Sequence, residues 1–267
     1  MNISKRISDL AYRLLRPVDA VRLISDPTNS LTRLANKYGS DKGDVKLSRH
    51  CYTRVYGKLF EPVKHDRLNF VEIGLLHFKD KGWANSSTRD EGGQSAKHAP
   101  SLEMWSTYFR NGSVFGFDIN DFSAVSLDRV QIIQGDMGVP NDLLSLCEIV
   151  GKEIDIVIDD ASHASHHQQI ALASIIRHVR PGGLYIIEDL HYQPAPLEEA
   201  NATKTRDLLR RGSVNGDYRS AHIDESASNY LSSWVESIEF FDSLSLDAAL
   251  SNNDALAVIR KRRSERA

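Results

Sequence analysis

The chain has 267 residues, 41% hydrophobic and 26% charged, enough apolar material for one large α/β domain with an appendage. Its 33 basic and 36 acidic side chains leave a formal charge of −3, which argues against a nucleic-acid binder, and no apolar run reaches the about 18 residues that a membrane helix needs. Cys51 and Cys147 are too few for a disulfide framework and lack metal-ligand spacing, which suits a reducing, cytoplasmic setting.

At the N-terminus, Ile3, Ile7, Leu10, Leu14, Val18 and Val21 recur at helical spacing among Lys5, Arg6, Arg13, Arg16 and Arg22. This predicts a basic amphipathic helix, broken at Pro17 and Pro27, whose apolar face packs on the domain or on a second copy, so a homo-oligomer is expected. The unbroken apolar core of a secretory signal is missing from it. Residues 1–66 read as a helical extension and 67–267 as the main domain.

From residue 68 onward, apolar runs alternate with helical segments, the pattern of a Rossmann-like, doubly wound α/β sheet. Strands are predicted at 69–73, 114–117, 130–134, 155–158 and 184–187, and helices at 102–110, 140–150 and 166–179. Pro181-Gly182-Gly183 is expected to turn the last helix into the fifth strand. Runs at 237–241 and 255–260 predict two more strands, so a mainly parallel sheet gains an antiparallel strand at the C-terminal end. Two polar segments, 76–100 and 193–233, are too long for plain connections and are expected to act as lids. Arg260-Lys261-Arg262-Arg263 and Arg266 read as a solvated tail.

The predicted strands end in acids: Glu72, Asp118, Asp136, the pair Asp159-Asp160 and the pair Glu188-Asp189. Ligands of open α/β sheets bind beyond the strands' carboxyl ends, so these carboxylates are expected at one site, where they demand a cation. A pyrophosphate site wants glycines and backbone N–H groups instead, and Gly74-Leu75-Leu76-His77 lacks the G-x-G-x-x-G fingerprint. A sulfonium cofactor with a ribose and an adenine fits better. Asp118 suits the ribose hydroxyls, Asp136 the adenine amino group, and Glu72 and Asp159 the cationic methionine end.

The order Glu72, Asp118, Asp136, Asp159 resembles a class I S-adenosylmethionine-dependent methyltransferase. Further stretches are similar to the Mg²⁺-dependent sugar O-methyltransferases of macrolide biosynthesis: Tyr38-Gly39-Ser40-Asp41-Lys42-Gly43; the spaced His50, Tyr52, Tyr56 and Phe60; Asp159-Asp160-Ala161-Ser162-His163; and Ile187-Glu188-Asp189-Leu190-His191. The likeness covers about residues 31–195. It implies S-adenosylmethionine held by Glu72, Gly74, Ser101, Asp118, Ile119, Asp136, Met137 and Asp159, with Gly92-Gly93 as further partners of its amino acid end. It also implies Mg²⁺ on Asp160, Glu188 and Asp189, and His163 as base.

The implied acceptor is a hydroxyl of a sugar in a glycosylated metabolite or glycan. Two rivals stand beside this reading: a catechol or phenol acceptor, or a non-catalytic subunit that binds the cofactor. Plainer roles are open for single residues. Asp159 or Asp160 could cap a helix beginning near Ser162, His166 and His167 could be solvated, and Tyr52 and Tyr56, one helical turn apart, could roof the cofactor or simply pack. His191 and Tyr192 could touch substrate or belong to an ordinary loop.

Overall fold

A computed structural model describes residues 29–44, 50–75, 78–79, 82–83, 95–151, 153–242, 244 and 255–264. The predicted N-terminal amphipathic helix and Gly92-Gly93 lie outside these residues. Helix α1 (Ser30–Tyr38) starts at Asn29, whose carboxamide oxygen accepts from the Leu31 N–H at 2.9 Å. It stops at Gly39, which takes the left-handed φ of 80° that a side chain resists. Helix α2 (Thr53–Phe60) follows a turn tied back to it, with the Thr53 N–H on the Lys42 carbonyl and the Cys51 N–H on the Gly43 carbonyl.

Strand β1 (Asn69–Ile73) opens the main sheet, and two short strands, β2 (Phe78–Lys79) and β3 (Gly82–Trp83), pair as a small hairpin inside the first expected lid. Then come α3 (Pro100–Tyr108), β4 (Ser113–Asp118), β5 (Val130–Gln134), α4 (Pro140–Val150), β6 (Ile154–Asp159), α5 (Ser165–Ile175) and β7 (Val179–Ile187). Helices α6 (Thr205–Asn215) and α7 (Glu225–Trp234) lead into β8 (Val235–Asp242) and β9 (Ala255–Lys261). The sheet order is β5-β4-β1-β6-β7-β9-β8; the first five strands run parallel, and β9 pairs antiparallel with both β7 and β8. The chain reverses its direction of travel across the sheet between β1 and β6, and such a switch point opens a crevice at the strands' carboxyl ends.

Alternating side chains of the central strands feed two cores. Val71, Ile73, Val157, Tyr185 and Ile187 face α4, α5, α6 and α7, whereas Phe70, Ile156, Ile158 and Ile186 face α1, α2 and α3. The second core is aromatic: Tyr56, Phe60, Phe70, Trp105 and Phe109 touch one another at centroid separations of 4.7 to 6.4 Å. The helices of the extension thus share a core with the sheet.

Three expectations are corrected. Segment 193–233 holds two helices, because Leu208, Leu209 and Leu231 bury on the sheet while polar residues cover their outer faces. Pro181-Gly182-Gly183 lies within β7, where the register to β6 shifts between Ile154 and Ile156; the bulge absorbs a proline that a regular ladder excludes. The basic run is no solvated tail at Lys261. Its ammonium is buried and donates to the carbonyls of Ile176, Arg177 and Val179, closing the C-terminal end of α5. No helix among the described residues is long and apolar enough to cross a membrane.

Candidate active site

Register places the acids together. Ile73 pairs with Asp159 and Asp159 with Ile187, so β1, β6 and β7 end level, and the next residues are bound across: Asp160 N–H to Ile73 O at 2.8 Å and Glu188 N–H to Asp159 O at 2.9 Å. Gly74, with φ of 90°, lets β1 end against this turn. A Cβ there would sit 2.3 Å from the Asp160 carbonyl oxygen. Its space is therefore taken by the protein's own backbone.

Glu72, Asp160 and Glu188 converge on one buried ammonium. Lys42 Nζ donates to Asp160 Oδ2 in a very short bond and to Glu188 Oε2 at 3.0 Å, and lies 3.5 Å from Glu72 Oε1. The other oxygens of Glu72 and Glu188 are held by the Ser101 hydroxyl at 2.6 Å and the Tyr56 hydroxyl at 2.6 Å. Burial works to lower the Lys42 pKa, but Asp160, Glu188 and Glu72 outweigh it and raise it well above the ordinary value, so the lysine stays charged. One cation does not neutralise the cluster. Burial pushes Glu72 up to about 7, and burial followed by the charge of Asp160 pushes Glu188 well above the usual carboxylate range.

Asp189 stands at the outer side. Its Oδ1 accepts from the Tyr52 hydroxyl at 2.5 Å and lies 3.8 Å from His50 Nδ1, and its Oδ2 lies 3.8 Å from His163 Nε2. His163 and Asp189 both adopt positive φ, 58° and 53°, a conformation that costs free energy and that a rigid surround must impose. The exposed ring of Tyr192 sits edge-on to His163 at 5.9 Å. Asp160, His163 and Asp189 each bring a polar atom within 4.8 Å of the others, and the two carboxylates suit a hard divalent cation with the imidazole beside it.

Asp118, buried at the end of β4, accepts from the N–H of Leu75 at 2.6 Å and of Asn120 at 2.7 Å, and Ile119 follows it, its carbonyl held by the Gln134 amide. Asp136 lies beyond β5, accepting from the Gly138 N–H at 2.8 Å beside buried Met137. These residues and Glu72, whose Oε1 accepts no hydrogen bond among the described residues, stand at or just beyond the carboxyl ends of β4, β5 and β1. They suit a ligand with hydroxyls and a cationic end.

Asp159 is placed apart. It faces the opposite core, where its Oδ2 accepts from the Tyr185 hydroxyl at 3.3 Å, and burial raises its pKa from 3.8 to about 7. The native state therefore keeps this proton up to about pH 7 while the unfolded chain loses it near 3.8, so stability falls as pH rises between those values. Asp159→Asn, which retains an acceptor for Tyr185, is expected to match the parent at pH 4 and to exceed it by about 1–2 kcal/mol at pH 8. Denaturant titrations at the two pH values check this; an equal difference at both contradicts it.

Neither Asp159 nor Asp160 caps α5, whose N-cap is Ala164; the Ser165 N–H is met instead by Glu198 at 2.7 Å. His166 and His167 are half-buried: they pack ring to ring at 4.1 Å, and His167 bonds the Ser162 hydroxyl at 2.7 Å. Tyr52 and Tyr56 do more than pack: they donate to the Glu188-Asp189 pair. Reasoning from sequence assigned Lys42 no role of its own. The available signal was a lysine between Gly39 and Gly43 in a chain whose parallel strands all lead into acids.

No family model matches the chain. A rhamnosyl tetracenomycin-C 2'-O-methyltransferase of Streptomyces olivaceus is 38% identical over 167 residues, 62% of this chain and 39% of that protein. The mycinamicin VI 2''-O-methyltransferase of Micromonospora griseorubida is 34% identical over 160 residues, 60% of this chain and 36% of that protein. Among solved structures, the mycinamicin pathway methyltransferase MycE, in complex with Mg, S-adenosylhomocysteine and mycinamicin VI, superposes with a TM-score of 0.64 at 25% identity. The match covers 87% of this chain and 54% of that one. The fold is that of a class I methyltransferase. This methyltransferase-fold chain spans about two-fifths of the length of the curated sugar O-methyltransferases it resembles.

Proposed function

We propose that the chain transfers the methyl group of S-adenosylmethionine to a hydroxyl of a sugar on a glycosylated natural product, with Mg²⁺ assistance. What carries this reading is the trio Asp160, His163 and Asp189 beside the switch point, in a chain similar to enzymes named for methylating rhamnosyl and macrolide sugars. Asp118 and Ile119 would receive the ribose, Asp136 and Met137 the adenine, and Glu72, Gly74 and Ser101 the methionine end. Residues 1–66 act as a cap on the cofactor-binding unit 67–267, in a cytoplasmic homo-oligomer.

Asp160 and Asp189, with Glu188 beside them, would hold the Mg²⁺, which when bound supplies Lewis acidity that lowers the pKa of a neighbouring hydroxyl. His163 takes the hydroxyl proton at Nε2 as the oxygen bonds to the methyl carbon and the carbon–sulfur bond breaks, leaving S-adenosylhomocysteine. Asp189, 3.8 Å from that nitrogen, stabilises the imidazolium formed. Tyr192 offers an aromatic face at the mouth for a sugar ring.

Purified chain is expected to move labelled methyl from S-adenosylmethionine to a rhamnosylated aromatic polyketide or a mycinamicin-type macrolide glycoside, and excess EDTA is expected to suppress transfer by at least about ten-fold. Full activity in EDTA removes the metal from the reading. Transfer to a catechol but to neither glycoside removes the sugar.

A further inference from the structure

Lys42 is the part of the site that a methyl-transfer scheme leaves unused. It comes from the turn after α1, where Gly39 ends the helix and Gly43 lies so close to Asn36 that a Cβ would meet its Oδ1 at 2.4 Å. The turn is fastened at both sides by the Thr53 N–H on the Lys42 carbonyl and the His50 N–H on the Asp41 carbonyl. Its side chain thus reaches carboxylates at the ends of three strands from a fixed base. Asp160 is both its partner and one of the carboxylates that suit a divalent ion.

We infer that Lys42 is a resident cation of the acid cluster, a positioning residue that holds Asp160 and Glu188 in place and competes with the divalent ion for Asp160. The inference rests on the metal reading above. An ammonium and a metal ion sharing one carboxylate repel each other, and at an effective dielectric constant of about 20 a unit charge some 4 Å away changes affinity by well over ten-fold. The lysine therefore keeps the cluster assembled before the metal arrives and sets how weakly the metal is held.

The test is a Mn²⁺ titration of the whole chain, without cofactor, followed by loss of the free-ion electron paramagnetic resonance signal. Lys42→Met is expected to bind Mn²⁺ at least about ten-fold more tightly than the parent, and Lys42→Arg, which keeps the charge, within about three-fold of it. If Lys42→Met does not fold, Lys42→Gln carries the same expectation. A neutral variant that binds no tighter than a Mn²⁺-binding parent overturns the role of Lys42 and leaves the metal reading standing. Binding by the neutral variant alone overturns the metal reading for the natural chain and supports Lys42 as its substitute cation. Binding by neither overturns both.

Discussion

His163→Ala is expected to lower methyl transfer by about 10²-fold or more while the affinity for S-adenosylhomocysteine stays within a few-fold. A positioned base contributes on that scale because a sugar hydroxyl is almost wholly protonated near neutrality and its oxygen is a poor nucleophile until the proton leaves. His163, proposed as that base, is fixed in place: its backbone has φ of 58°, its Nδ1 is buried, and its Nε2 lies 3.8 Å from Asp189. The residues proposed for the ribose and adenine sit at the ends of β4 and β5, on other strands, so cofactor affinity has no reason to follow turnover. Single-turnover rates alongside calorimetric affinities separate the two; unchanged turnover would remove His163 as base.

Glu188→Ala is expected to destabilise the fold by about 3 kcal/mol. Glu188 is buried between Lys42 and Tyr56, so its loss leaves a buried ammonium short of one partner and a buried hydroxyl with none at that position, and opens a void beside the aromatic core. Asp160 and Glu72 still face Lys42, which keeps the cost at the lower end for a broken buried pair. Glu188→Gln, which preserves the shape and one acceptor oxygen, is expected to cost less. Urea titrations measure both, and a loss under about 0.5 kcal/mol for the alanine variant contradicts this role.

The parallel strands were legible because Phe70-Val71, Ile156 to Ile158 and Leu184 to Ile187 form apolar runs, and burial on both faces of a sheet demands such runs. Their acidic ends were legible for the same reason: the change from apolar to charged marks where the strand leaves the core. Helices α6 and α7 were hidden because Leu208, Leu209 and Leu231 are their only large, fully buried apolar side chains and most of their other residues are polar. Lys261 was hidden by its neighbours, since Arg260, Arg262 and Arg263 make a basic run look like a tail although strand alternation turns one member inward. Lys42 was hidden because its partners Glu72, Asp160 and Glu188 stand 30 to 146 positions away, and a buried ion pair between distant segments leaves no periodic trace. Part of the positive charge that the acids demand was already in the chain.

Every step proposed for this protein depends on the carboxylate-lined crevice between β1 and β6 receiving a sulfonium cofactor and a divalent ion together. Isothermal titration calorimetry of the purified chain reads both events, with S-adenosylhomocysteine and Mg²⁺ added singly and in combination. One S-adenosylhomocysteine is expected to bind per chain, weakened by Asp118→Ala, together with a Mg²⁺ signal that is lost in Asp189→Ala. Heat from neither ligand in a folded sample would refute the shared site.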